Sequence, residues 1–364
     1  FFVTPSLSNA ESSEVQAEAE PMPTVPREEQ SVLSFTYGDL EGQLNASARY
    51  RLEEGSSVQV DADGNAFEAA TIHDTQLRVG GDLKYSFGRY YWAEAHYEHD
   101  LYTGIFSGGD QGDLELRGAP FPQDADTQLR KAELAFRIGP VAIGGGYKTS
   151  HWGLGLLAND GAHGWRPGNA QFTDPRAGDR VLRGFLMVGP LPGSGLVFTG
   201  AIDEVVEDDI LIQGDKGTQA VFAALTDPRA KTRAGIYGAV RNMESSDGKK
   251  TDVFIADLYG KTEQALDHNI TFIAEAEAAM ITGETELAPN PTFPMHEIEQ
   301  AALAARISLN GRTVGVVTDF MAASGDNDFD DDTLSGFNAD VNYHMGLVLY
   351  RYVLAAGTAR APVT

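Results

Sequence analysis

The sequence contains no cysteine. That removes disulfides, thiolate nucleophiles and cysteine-ligated zinc or iron–sulfur centres together, and it fits an oxidising compartment outside the cytoplasm. Long hydrophobic runs are missing as well. A membrane-spanning helix needs about 20 consecutive apolar residues, whereas stretches such as Phe185 to Val188 and Ile143 to Gly146 are interrupted far too early, so an inner-membrane helical protein is excluded. Positive charge is scarce: 27 Lys and Arg stand against 53 Asp and Glu, a formal net charge of -26. A nucleic-acid partner needs basic side chains to neutralise phosphates, so that class is excluded too.

Catalytic signatures are equally absent. The eight histidines form no HExxH pair, and no GxSxG elbow, P-loop or dinucleotide fingerprint occurs. Acidic pairs are too abundant to single out an acid and a base, so no enzyme is expected. The first residue is Phe1 and no signal peptide is recognisable, which reads as a processed or partial chain.

Residues Ser6 to Gln30 are rich in Ser, Glu, Ala and Pro with almost no aromatics. They offer too little apolar surface to offset the entropy of ordering, which predicts a flexible acidic periplasmic linker over residues 1–34. From residue 35 to residue 364 the composition turns to Gly, Tyr, Phe and Val in alternating segments. In the clearest, Leu77, Val79, Leu83, Tyr85 and Phe87 alternate with Gln76, Arg78, Asp82, Lys84 and Ser86. Successive strand side chains point to opposite faces, so each such segment reads as a strand with one apolar and one polar side. The same pattern holds at Leu44 to Tyr50, Ala132 to Phe136 and Val341 to Leu347.

The connections alternate in length. Short turns are read at Phe87 to Tyr90, Gly139 to Pro140, Gly189 to Gly195, Asp227 to Lys231, Leu266 to Asn269 and Asn310 to Gly311. Between them lie long segments: Glu53 to Asp74, Thr103 to Asp126, His151 to Asp179, Glu204 to Gly217, the surroundings of Pro289 to Pro294, and Ser324 to Gly336, with Glu244 to Lys249 a shorter exception. Short periplasmic turns and long extracellular loops belong to outer-membrane barrels. The predicted fold is all-β, a transmembrane antiparallel up-and-down barrel of about 14 to 18 strands. Mean hydropathy of -0.25 does not oppose this, because each strand gives only its outward half to lipid. A first strand rising into a long loop places both barrel ends on the periplasmic side. The weak final segment, Ala355 to Thr364, leads to the expectation that C-terminal strands are lacking.

If the Leu77-type positions face lipid, the opposite set lines the interior: Arg78, Lys84, Glu94, His96, Glu98, Lys131, Glu133, Arg137, Arg183, Arg233, Arg241, Asp257, Lys261, Glu275 and Glu277. So many charges demand a water-filled pore or an occluded, densely paired interior. Tyr90, Tyr91 and Trp92 are candidates for an interfacial aromatic girdle. Gly144, Gly145 and Gly146 allow either a kink or the close approach of an inward-folded loop. The segment from His151 to Gly161, with Trp152, Leu154, Leu156, Asn159 and Asp160, is unusually apolar for an external loop. It is expected to act as a constriction inside the barrel, to contact a partner protein, or to bury itself under its neighbours. Asp326, Asp328 and Asp330, with Asp331 and Asp332, form an oxygen-rich loop suited to a calcium ion, although the spacing is not that of an EF-hand and a solvated acidic loop is the alternative.

Trp152-Gly153-Leu154-Gly155-Leu156-Leu157-Ala158-Asn159-Asp160-Gly161, together with Gly325-Asp326-Asn327-Asp328 leading to Phe337 and Tyr343 to Leu347, resembles an uncharacterised family of outer-membrane barrels from myxobacteria and related δ-proteobacteria, itself similar to alginate-export porins. The resemblance covers the chain from about residue 40 onward. It implies a barrel that continues past the end of this sequence and an electropositive lumen for a polyuronate. Arg49, Arg51, Arg78, Arg137, Arg183, Arg233 and Arg241 could supply such a lumen, but Glu94, Glu98, Glu275 and Glu277 dilute it, so the substrate does not carry over. The expected function is a porin-like channel for passage or export of polar solutes or polysaccharide in the outer membrane of a Gram-negative bacterium. A structural barrel anchoring a larger surface assembly is the alternative. Expected partners are outer-membrane lipid, lipopolysaccharide and proteins of such an assembly.

Overall fold

Strand residues dominate because apolar and polar side chains alternate with period two over most of the chain. The computed structural model describes residues 31–55, 58–59, 66–67, 70–88, 91–102, 108–110, 127–160, 178–208, 211, 214–267, 270–287, 292–328, 330–340 and 343. Residues 1–30, most of the long-connection segments at 56–69, 103–126 and 161–177, and the expected strands over 344–347 and 355–364 lie outside the described residues.

Fourteen strands follow one another in a single antiparallel meander. They are β1 (Ser31–Tyr37), β2 (Leu40–Gly55), β3 (Ala70–Gly88), β4 (Tyr91–Tyr102), β5 (Thr127–Ile138), β6 (Val141–Thr149) and β7 (Arg180–Val188). The second half comprises β8 (Val197–Glu207), β9 (Lys216–Leu225), β10 (Thr232–Glu244), β11 (Lys250–Asp267), β12 (Ile270–Thr285), β13 (His296–Gly311) and β14 (Gly315–Ala323). Each strand pairs with its neighbours in sequence, the up-and-down order expected from the alternation. Short strands at Gly108–Asp110 and Thr333–Leu334 add to β3 and β13 outside this order.

Strand pairing reaches back to Ser31, inside the segment read as linker. It also changes the geometry of the ends. β1 runs into the tight turn at 38–39, with Tyr37 paired to Leu40 and Ser31 to Asn45. The first described residue therefore lies part-way toward the long-connection end, not at the short-turn end that a first strand rising into a long loop requires. The alternation misled here because β1 is short and its few residues merge with the polar segment before them. β14 likewise runs from a short turn toward the long-connection end. β1 and β14 terminate the strand order, and no pairing among the described residues joins them.

The sheet is inside out relative to a soluble one. Ile202 is 74% exposed and Leu258 57%, and Leu83, Phe136, Phe222, Ile236, Phe254 and Met280 face the same outer side. The residues next to them in sequence are turned the other way: Asp203 is 1% exposed, and Asp257 and Arg137 are also buried. A soluble monomer rarely exposes a continuous apolar surface larger than a few hundred Å². An outward apolar band over polar inward residues is the arrangement that hydrocarbon selects. Near the short turns the band carries exposed Tyr37, Tyr85, Phe87 and Tyr91, an aromatic fringe suited to a headgroup boundary. Trp92 is not part of it. Adjacent strand residues face opposite sides, so Trp92 turns inward and is buried while Tyr91 points out; Tyr90 lies outside the described residues.

Candidate functional site

Trp152 follows the end of β6 by only a few residues, yet its indole Nε1 donates to Asp257 Oδ1 on β11 at 2.9 Å. A little further on, the backbone N–H groups of Leu154 and Leu156 both donate to the Glu277 carboxylate on β12, the latter at 3.2 Å. Neighbouring strands are spaced about 4.8 Å apart, so β6 and β12 are separated by about 29 Å along the sheet. Five residues of chain reach at most about 17 Å. The contacts are possible only because the sheet rolls, bringing β11 and β12 across from β6 with the polar face inside. Residues 151–160 form a strap across that interior.

The strap's shape follows from its glycines. Gly153 and Gly155 have φ of +59° and +84°, left-handed values that L side chains rarely adopt. The turn they make aims the N–H groups of Leu154 and Leu156 at one carboxylate, while the Gly155 N–H between them donates back to Trp152 O at 2.9 Å. A Cβ on Gly153 would collide with that carboxylate. Trp152 packs at 5.6 Å from the Tyr237 ring and 6.4 Å from Tyr259, over Gly235, where a Cβ would stand 2.8 Å from the indole. Leu156, fully buried, packs with Ala279, Ala302, Ala304 and Phe337. Asn159 Nδ2 donates to Gly155 O at 3.2 Å and closes the loop on itself. Asp160 O accepts from Arg130 Nη2 at 2.6 Å and ties its far end to the wall. A second inward segment meets the strap, since Asp340 N donates to Leu156 O at 2.9 Å. Tyr343, expected within a strand, belongs to this irregular segment instead.

Every candidate lining residue from Arg78 to Lys261 is buried or half-buried, and none is on the exposed face. Most are paired. Arg78 grips Asp100 through Nε at 2.5 Å and Nη2 at 2.7 Å, while Arg130 and Lys131 approach Glu98 at 3.1 and 4.0 Å. His96 meets Asp82 at 2.5 Å, and Lys148 meets Glu133 at 2.8 Å. Arg183 holds Asp203 with two bonds of 2.7 Å. Arg241 pairs with Asp208, and Lys261 lies 3.0 Å from Glu275. Arg233 donates to Pro228 O at 2.7 Å. Near the short-turn mouth, Trp92 donates to Glu94 at 2.6 Å, with Lys84 and Arg137 over its ring at 5.3 and 5.5 Å.

Asp82, Asp100, Lys148, Asp203 and Asp208 complete these pairs and are absent from the candidate set, as are Arg306 and Asp319, which pair with each other at 2.6 Å. Asp100 and Asp203 share the parity of their inward neighbours, so alternation could have found them. Arg130 could not be found that way. A bulge opposes Glu98 to Lys131 and His99 to Leu129, leaving Arg130 as the extra residue. A bulge turns consecutive side chains toward one face, and Arg130 is accordingly 0% exposed beside Lys131.

The glycine run at 144–146 lies against the neighbouring strands: a Cβ on Gly144 would lie 2.6 Å from Leu134 O and 2.8 Å from the Phe185 ring. In the acidic segment, Asp326 Oδ1 accepts from Asp328 N and Asp328 Oδ1 from Asp330 N, both at 3.1 Å. These carboxylates cap local turns, and among the described residues no group of three or more His, Asp or Glu side chains is arranged to hold a metal ion.

A charged bond inside such a wall is costly to break on one side only. Arg183→Ala leaves Asp203 buried without its bidentate partner and is expected to destabilise the fold by about 3–5 kcal/mol. The paired change Arg183→Met with Asp203→Leu is expected to cost much less. Urea unfolding in lipid vesicles measures the difference.

No family model and no curated protein sequence matches this chain. Among solved structures, the outer membrane channel DcaP of Acinetobacter baumannii aligns with a TM-score of 0.40 at 10% identity, over 79% of this chain and 92% of that one. Salmonella typhi OmpF in complex with daunomycin gives 0.33 at 11% identity, over 79% and 92%. An anion-selective porin from Comamonas acidovorans gives 0.28 at 10%, over 77% and 100%. At these scores the likenesses carry no weight, and function is read from the chain's own residues.

Proposed function

We propose that this chain is a porin-like channel of a Gram-negative outer membrane, with the strap at 151–160 as its constriction. The observation that carries this is the inverted sheet: charged pairs such as Arg183–Asp203 and Arg78–Asp100 inside, and Leu, Ile and Phe outside. Short turns alternating with long connections favour the outer membrane over any other location for such a wall. Its surroundings are then outer-membrane lipid and lipopolysaccharide.

Small polar solutes fit this interior better than a polyuronate. A polyanion requires cations free to bind it, whereas Arg78, Arg183, Arg241, Lys148 and Lys261 are each matched to a carboxylate. An anchoring barrel needs a surface for its partner proteins, and the apolar Trp152 segment is packed inside the sheet. Planar-bilayer recording of the purified chain tests the proposal. Discrete conductance steps are expected, and a bilayer that stays silent after confirmed insertion would overturn it.

A further inference from the structure

His96 occupies a particular place in the charged wall. It stands on β4, its Nδ1 2.5 Å from Asp82 Oδ1 on β3, and it is in register with Glu133 on β5. Glu133 in turn binds Lys148 of β6 at 2.8 Å. The other charges facing it from these strands are held in contacts of their own, Asp100 with Arg78 and Arg130. Lys84 is in register with Glu94, and Glu98 is enclosed by Arg78, Arg130 and Lys131. The cluster Asp82, His96, Glu133 and Lys148 thus contains two carboxylates, one permanent cation and one imidazole.

Solvent reaches this cluster from within: the side chains of His96 and Asp82 are 21% and 47% exposed. At 2.5 Å from a carboxylate oxygen, Nδ1 keeps its proton, which leaves Nε2 as the atom that gains or loses one. We propose that His96 sets the ion preference of the passage. With Nε2 protonated the four groups are neutral. With Nε2 free they carry one negative charge that draws cations.

This rests on the channel reading. Histidine is the side chain whose charge changes between about pH 5 and about pH 8, so the expected behaviour is a cation preference that rises with pH. One unit negative charge about 10 Å from a passing ion in water raises the local cation concentration roughly two-fold and lowers that of anions by the same factor, so a shift of about four-fold in the cation-to-anion permeability ratio is expected.

The test is the reversal potential of the full chain in planar bilayers under a KCl gradient, at about pH 5 and about pH 8. His96→Gln is expected to hold the cation-preferring ratio at both pH values, and His96→Lys the lower ratio at both. A conducting wild type with a pH-independent ratio, or a His96→Gln channel that keeps the shift, overturns the role of His96 alone. A bilayer that never conducts overturns the channel reading and this role with it. His151 and His296 are present in both His96 variants, so a pH-dependent shift that survives in His96→Gln belongs to other groups of the chain.

Discussion

Leu258→Arg is expected to block stable insertion of the chain into lipid bilayers. Leu258 lies mid-way along β11 on the outer face, between Asp257 and Tyr259, which point inward. An Arg near the bilayer midplane costs about 2–4 kcal/mol on a barrel's lipid face, a large part of the stability of an ordinary fold. The sign of the effect is diagnostic. On a water-exposed face the same change would be worth within about 0.5 kcal/mol and would improve solubility. Folding into vesicles, followed by protection from protease and by the urea midpoint, reads the loss; Leu258→Met is expected to behave as wild type. Equal insertion of the Arg variant and wild type would mean that β11 does not face hydrocarbon.

Glu277→Leu is expected to free the strap and raise single-channel conductance several-fold. Glu277 is 1% exposed and accepts from the backbone N–H of both Leu154 and Leu156. Each buried donor left without an acceptor costs about 1–3 kcal/mol, so the strap loses more by staying than by leaving. The wall itself is spared, since leucine at this site no longer asks for a buried charge. Asp257→Asn retains an oxygen for the Trp152 indole and serves as the control expected to leave conductance near wild type. Unchanged conductance in Glu277→Leu, with the protein inserted, would show that the strap does not limit the passage.

The outer face could be read directly, because a period-two alternation such as Leu77 to Phe87 assigns each side chain to a face before any partner is known. The same rule placed Arg78, His96 and Glu133 inside. It failed where the ladder breaks step, at the bulge that buries Arg130 beside Lys131, and where an aromatic cluster straddles both faces, as Tyr91 and Trp92 do. The strap was legible as an apolar anomaly, but not its destination. Whether Trp152 meets Asp257 depends on how far the sheet rolls, a property of the whole meander that no local pattern encodes. Pairing across the interior, such as Leu156 with Ala304, is hidden for the same reason.

Period-two contact with hydrocarbon is the central claim. Single cysteines placed along β11 from Val253 to Leu258, each carrying a fluorophore, can be challenged in vesicles whose lipids bear brominated acyl chains. The sequence has no native cysteine to interfere. Strong quenching is predicted at 254, 256 and 258, with little at 253, 255 and 257, following the outward and inward faces of the strand. Uniform quenching along the strand, or none at any position, would contradict a rolled sheet with lipid outside and charge within.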